Sequence, residues 1–311
     1  MKRRNFLHQA GLGSLLLYSG NFPMDAWSNG DITKITILHT NDVHSRIDPF
    51  PMDGSRNAGQ GGAARRKALI DSIRAKEPHV LLLDAGDIYQ GTPYFNFFKG
   101  ELEFKLMSEM GYDAATLGNH DFDATIDQLA ANRHLAKFPF IVSNYDFSNT
   151  PMQGLSQPYH IIRKGGAKIG LLSACIELDG LVPKAWYGDT QYLDPVAHAN
   201  KYATLLREEE KCDYVICLSH LGYQYRDEKI SDVKLASLSK NIDLIIGGHT
   251  HTFMKEPRWV KNLAGEPVLI HQAGWGGILL GKIELFIERN RKNTCVSCKS
   301  LPVGEVLNSA Y

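Results

Sequence analysis

Histidine, aspartate and asparagine gather at five places in this sequence, each directly after a run rich in valine, isoleucine, leucine or alanine. The blocks are His39-Thr-Asn-Asp42-Val-His44, Gly86-Asp87, Gly118-Asn119-His120-Asp121-Phe122-Asp123, Ser219-His220 and Gly247-Gly248-His249-Thr250-His251. Two imidazoles and a carboxylate per ion, with one carboxylate shared, describe a dinuclear hydrolytic site whose cations lie about 3.5–4 Å apart. Histidine beside oxygen ligands suits zinc, manganese or iron better than calcium or magnesium. Asp42 and His44, two apart in an extended turn, are expected to grip one ion. His249 and His251 are expected to repeat that geometry, with glycines ahead of them allowing close backbone approach. Asp87, between Gly86 and the later Gly91, is the expected bridge. Asn119 offers a neutral carbonyl oxygen, which leaves the adjacent His120 free to act on substrate. An isolated Asp-x-His is commonly a helix cap or a surface turn; the sorting of all five blocks to strand ends carries the metal reading.

The elements that must position these residues alternate along the chain. Strand patterns cover 32–39, 80–83, 114–117, 138–143, 214–218, 242–246, 268–271 and 278–287. A hairpin is expected over 161–176, turning at Gly165-Gly166. Helical spacing covers 63–75, 101–110, 124–135, 194–211 and 233–240. The fold class is therefore α/β, with two mixed β-sheets sandwiched between helices. Open α/β sheets place their chemistry beyond the carboxyl ends of strands, where all five blocks fall. The stretch Gly59-Gln-Gly-Gly-Ala-Ala-Arg-Arg66 lacks the Lys-Ser/Thr of a phosphate loop and reads as the start of a helix.

Composition narrows the partners. The chain has 311 residues, 43% of them hydrophobic, enough to bury a large core. Its 34 basic and 34 acidic residues balance, so no overall field draws in nucleic acid or an anionic membrane. Lys2-Arg3-Arg4-Asn5-Phe6-Leu7 ahead of a short apolar run resembles a twin-arginine export signal. The expected organisation is a signal segment at 1–28 and one catalytic domain at 29–311, exported or periplasmic, with no stable membrane insertion after export. Cys175, Cys212 and Cys217 lie in or beside apolar runs and are expected to pack, while Cys295-Val-Ser-Cys298 is expected to form a local disulfide rather than a metal site.

The set Asp42-x-His44, Gly86-Asp87-x-x-Gln-Gly91, Gly118-Asn119-His120-Asp121, His220 and Gly248-His249-Thr250-His251 resembles the calcineurin-like metallophosphoesterases, and within them the catalytic domain of the 5'-nucleotidase and UDP-sugar hydrolase group. The resemblance implies the four-layer fold of that family. It implies one divalent ion held by Asp42, His44, Asp87 and His251, and a second by Asp87, Asn119, His220 and His249. His120 then corresponds to the catalytic histidine and Asp123 to the aspartate that orients it. Asp121 stands where many relatives have glutamate, a change expected to matter little if that side chain is not a ligand. The implied reaction is hydrolysis of a small phosphate ester, foremost a 5'-nucleotide monoester, by a metal-bridging hydroxide.

Full-length nucleotidases of the group carry a C-terminal substrate domain, whereas this sequence ends at Tyr311. The expectation is a broad-specificity phosphoesterase or a subunit that associates with a separately encoded substrate domain. Cyclic-nucleotide phosphodiesterase or thiosulfohydrolase-like activity would use the same ligands, and a non-catalytic binding subunit is the alternative from another class. The sequence places most weight on Asp87: metal-loaded Asp87→Asn protein is expected to turn over a phosphomonoester orders of magnitude more slowly than wild type. Unchanged turnover in a single-substrate assay would remove Asp87 from the site.

Overall fold

The computed structural model describes residues 32–288 and 294–304, so the signal segment read from the N-terminus lies outside the described residues. Strands run in the order β1 (Ile32–Thr40), β2 (Val80–Asp84), β3 (Ala114–Ala115), β4 (Tyr145–Asp146), β5 (Tyr159–Lys164), β6 (Ala167–Ala174), β7 (Gln191–Tyr192), β8 (Tyr214–Ser219), β9 (Leu244–Ile246), β10 (Arg258–Lys261), β11 (Pro267–His271), β12 (Leu279–Glu288) and β13 (Thr294–Pro302). The α-helices are α1 (Ala63–Arg74), α2 (Pro93–Phe98), α3 (Glu101–Met110), α4 (Ile126–Asn132), α5 (Lys184–Tyr187), α6 (Pro195–Thr204) and α7 (Asp232–Leu238).

Two mixed sheets result. The first has the order β13-β12-β1-β2-β3, parallel from β1 to β3 and antiparallel at β12 and β13. The second has the order β10-β11-β9-β8-β6-β5, with a parallel centre and antiparallel edges. Strands buried on both faces need apolar residues at every position, which is why β2 and β8 read as unbroken apolar runs. In β2, Leu81 and Leu83 enter the core between the sheets while Val80 and Leu82 face the helices. In β8, Ile216 and Leu218 enter that same central core while Val215 and Cys217 face α6 and α7. The layers are therefore helix, sheet, sheet, helix. The parallel strands of each sheet deliver their carboxyl ends, and the loops that follow, to one seam.

Several elements depart from the sequence pattern for identifiable reasons. The expected strand at 138–143 makes only isolated bridges, Phe140 to Ala115 and Ile141 to Gln157, because Pro139 has no N–H to give a ladder. The helix expected from Ala124 begins at Ile126, since Thr125 sits at φ 73°. The long helix expected over 194–211 changes at Leu205 from α geometry to a wider turn ending at Glu209. The polar segment after Thr294 is a full edge strand, paired with β12 from Ile287↔Thr294 to Leu279↔Pro302. Its extended backbone corrects the expected local disulfide: three residues of strand span about 10 Å, beyond the Cα reach of a disulfide, and Cys298 is a free thiol. Among the described residues, no helix is long and apolar enough to cross a membrane.

Ile216 is fully buried between the sheets. Ile216→Ala is expected to cost about 2–5 kcal/mol of unfolding free energy, read as a lower denaturant midpoint at unchanged slope.

Candidate metal centre

Each block of the sequence follows the carboxyl end of a parallel strand. Asp42 and His44 follow β1, Asp87 follows β2, Asn119 and His120 follow β3, His220 follows β8, and His249 and His251 follow β9. The first two loops stay zipped beyond the sheet, through Asp42 N to Gly86 O (2.9 Å), His44 N to Asp87 O (3.1 Å) and Ser45 N to Ile88 O (2.9 Å). Asp42, His44, Asp87, His249 and His251 all have left-handed backbones, with φ between 50° and 69°. That conformation is costly for residues with a Cβ and persists where surrounding structure enforces it. The spacing argument holds for Asp42 and His44, which share a group, but not for His249 and His251, each of which joins a different group.

The two groups are Asp42 with His44 and His251, and Asp87 with His220 and His249. In the first, His44 Nε2 lies 3.0 Å from His251 Nε2, and His251 Nε2 lies 3.4 Å from Asp42 Oδ1. His44 Nδ1 donates to the Tyr89 carbonyl at 3.2 Å, which leaves the lone pair on Nε2, pointing inward. In the second, His220 Nδ1 donates to the Ala85 carbonyl at 2.7 Å, and its Nε2 lies 3.0 Å from Asp87 Oδ2 without hydrogen-bond geometry. Asp87 Oδ2 is also 3.9 Å from His44 Nε2, so this carboxylate faces both groups. Asn119 Oδ1 lies 2.9 Å from His249 Nδ1 and joins the second group.

The electrostatics ask for positive charge here. Burial works against a charged His220, yet the Asp87 carboxylate and then Asp42 raise it to about 10. Asp87 is held far below the usual carboxylate range against its own burial, with His220 the largest favourable influence. Burial lowers His44, and burial with the neighbouring His220 lowers His249 to about 4, so both favour the neutral form that ligates metal. Inward lone pairs, an orphaned buried imidazole nitrogen and two buried carboxylates fit divalent cations. Space is tight around them. A Cβ on Gly118 would lie 2.2 Å from Asp87 Oδ1 and 2.6 Å from His220 Nε2, so only glycine fits.

His120 belongs to neither group, though its ring packs edge-on against His44 with centroids 5.3 Å apart. Its Nδ1 lies 2.8 Å from Asp123 Oδ2, and its side chain is 37% exposed, the open side of the site. The Asp123 hydrogen bond raises its pKa above the ordinary imidazole value, against partial burial. Its backbone N–H donates to Asp87 Oδ1 at 2.8 Å.

Asp121 has a larger part than the sequence reading gave it. Its two oxygens accept N–H bonds from Asp87 (3.0 Å), Ile88 (2.9 Å), Tyr89 (3.2 Å) and Gly118 (2.8 Å). Burial and then the Asp87 charge push its carboxyl up to about 7, and the backbone donors pull against them. The four N–H donors on its oxygens favour the ionised form. Gln272, and Asn41 within the first block, were likewise given no role by the sequence. Gln272 ties Gly248 O (2.7 Å) to Thr252 N (2.9 Å), and Asn41 ties Asp42 Oδ2 (2.6 Å) to Gly274 O (2.6 Å). Only their places in or beside the blocks could have drawn attention to them. His39 and His271, both fully buried, hydrogen-bond to each other at 2.8 Å.

The family model described as calcineurin-like phosphoesterase matches residues 35–253. A snake venom 5'-nucleotidase from Gloydius brevicauda is 35% identical over 82% of this chain and 45% of its own length. A 5'-nucleotidase from Vibrio cholerae is 35% identical over 77% of this chain and 44% of its own. The crystal structure of a 5'-nucleotidase precursor from Thermus thermophilus superposes with a TM-score of 0.78 at 30% identity, covering 88% of this chain and 55% of that one. The chain thus spans about half the length of these relatives.

Removing the Asp121 carboxylate would strand four buried N–H donors. Asp121→Ala is expected to cost about 3 kcal/mol or more, with Asp121→Asn intermediate because it keeps one acceptor. Chemical denaturation of the metal-free chain measures this, and a loss within about 0.5 kcal/mol, typical of an ordinary surface site, would contradict it.

Proposed function

The chain belongs to the calcineurin-like phosphoesterase family, and on that footing we propose that it hydrolyses phosphate esters with two divalent cations, preferring 5'-nucleotide monoesters. The observation that carries this reading is the pair of donor groups facing one another across Asp87. Asp42, His44 and His251 would hold one ion, Asn119, His220 and His249 the other, and Asp87 both. The mixture of imidazole and oxygen donors favours zinc, manganese or iron. Bound there, the cations supply Lewis acidity, which activates water and offsets phosphoryl charge.

The remaining work falls to the chain. Asp123 fixes the His120 ring through Nδ1 and favours its protonated form, leaving Nε2 to face substrate on the open side. As imidazolium, His120 stabilises the charge that builds on the phosphoryl group and passes a proton from Nε2 to the departing ester oxygen. The Asp87 and Asp42 loops, locked by Asp121 and Asn41, keep the donors preorganised and so lower the reorganisation needed at reaction. The nucleotide preference rests on the 5'-nucleotidase relatives. An exported location rests on the Arg3-Arg4 leader read from the sequence.

Metal analysis alongside hydrolysis of 5'-AMP, a sugar nucleotide and a bis-aryl phosphate tests the proposal. Two ions per chain, fastest turnover of 5'-AMP, and loss of turnover on chelation are expected. His120→Ala is expected to lower kcat by roughly 10²–10⁴-fold. A chain that binds no metal, or hydrolyses none of the three, would overturn the reading; a preference for the bis-aryl ester would replace the nucleotide assignment.

A further inference from the structure

A ligating imidazole normally has its second nitrogen fixed by a hydrogen bond, which sets the ring plane. His44 and His220 use the backbone carbonyls of Tyr89 and Ala85. His251 differs. Among the described residues its Nδ1 has no hydrogen-bond partner, and its side chain is 40% exposed. Its ring instead lies parallel to the indole of Trp275, with centroids 5.6 Å and planes 12° apart.

Trp275 is itself held on several sides. Gly276 N donates to Asp42 O at 2.7 Å, and Asn41 Oδ1 accepts from Ala273 N at 2.9 Å. Phe50 packs edge-on against the indole, with centroids 5.3 Å and planes 82° apart. A Cβ on Gly276, at φ 62°, would lie 2.9 Å from the Phe50 ring, so the loop closes tightly over it. The same backbone that anchors the Asp42 loop therefore anchors the indole, and the indole covers one face of His251.

We propose that Trp275 is the positioning residue of His251: its fixed aromatic plane, in place of a hydrogen bond, keeps the imidazole turned so that Nε2 meets Asp42 and His44. The inference rests on the reading that this group binds a divalent ion. It assigns Trp275 to one ion rather than both, since no stacking of this kind is found on His220 or His249 among the described residues.

Calorimetric titration of the metal-free chain with cobalt(II) tests this. Wild type is expected to bind two ions. Trp275→Leu, which keeps apolar bulk and removes the flat face, is expected to bind one of them about 10–100-fold more weakly, the usual loss on removing a group that orients a metal ligand. Trp275→Phe is expected to restore most of that affinity. Cobalt(II) should also quench a part of the wild-type tryptophan emission that is missing from Trp275→Phe, a readout on folded protein should Trp275→Leu fail to fold. Both ions binding Trp275→Leu at wild-type affinity would overturn the proposal, as would equal weakening of both. A raised KM with unaltered metal binding would assign Trp275 to substrate instead and overturn it too. Wild type binding no metal would sink the phosphoesterase reading itself, an outcome distinct from the others.

Discussion

Two buried carboxylates, Asp42 and Asp87, face the imidazoles of His44, His220 and His251 across the seam between the sheets. Holding that much anionic and lone-pair character out of water is unfavourable unless every oxygen has a partner. The structure supplies partners from the backbone first. His249 N–H reaches both oxygens of Asp42 at 3.0 Å, and His120 N–H reaches Asp87. Asp121 then organises the peptide groups around Asp87, and Gln272 those around Gly248. The polar arrangement stands on loops at the carboxyl ends of the apolar sheets, open at His120 and His251, so its geometry is inherited from the sheets rather than chosen by mobile side chains.

The left-handed backbones show what this costs. Five residues that the donor groups depend on take a conformation that ordinary side chains avoid, at about 1 kcal/mol or more each. Such strain survives because the zipped loops beyond β1 and β2 and the apolar packing between the sheets over-determine it. Donor geometry and core stability are thus coupled. Loosening the central core weakens the scaffold that keeps the donors facing one another.

Much of this was legible in the sequence, and the reason is physical. Strands buried on both faces must be apolar throughout, so polar residues are expelled to their ends and stand out there, as at Asp87 after Leu81-Leu82-Leu83. The two-sheet class followed from the same runs. What stayed hidden depends on partners distant in the chain. Asp121 looks like any acidic turn residue until four amides converge on it. The spacing of His249 and His251 does not encode their parting, which only the family resemblance implied. β13 escaped because an edge strand with Ser297, Lys299 and Ser300 shows little apolar alternation. Trp275 gave no signal, since stacking requires knowing that its loop returns to Asp42.

The order of the strands carries a consequence for how the molecule is made. β1 lies in the middle of its sheet, yet one of its two neighbours is β12, which leaves the ribosome more than two hundred residues later. Both donor groups likewise draw on the first sheet and on loops that follow β8 or β9. An N-terminal fragment ending before His220 therefore contains neither a complete first sheet nor either full group. Each group is completed only once the late strands have been made and have closed on the first sheet.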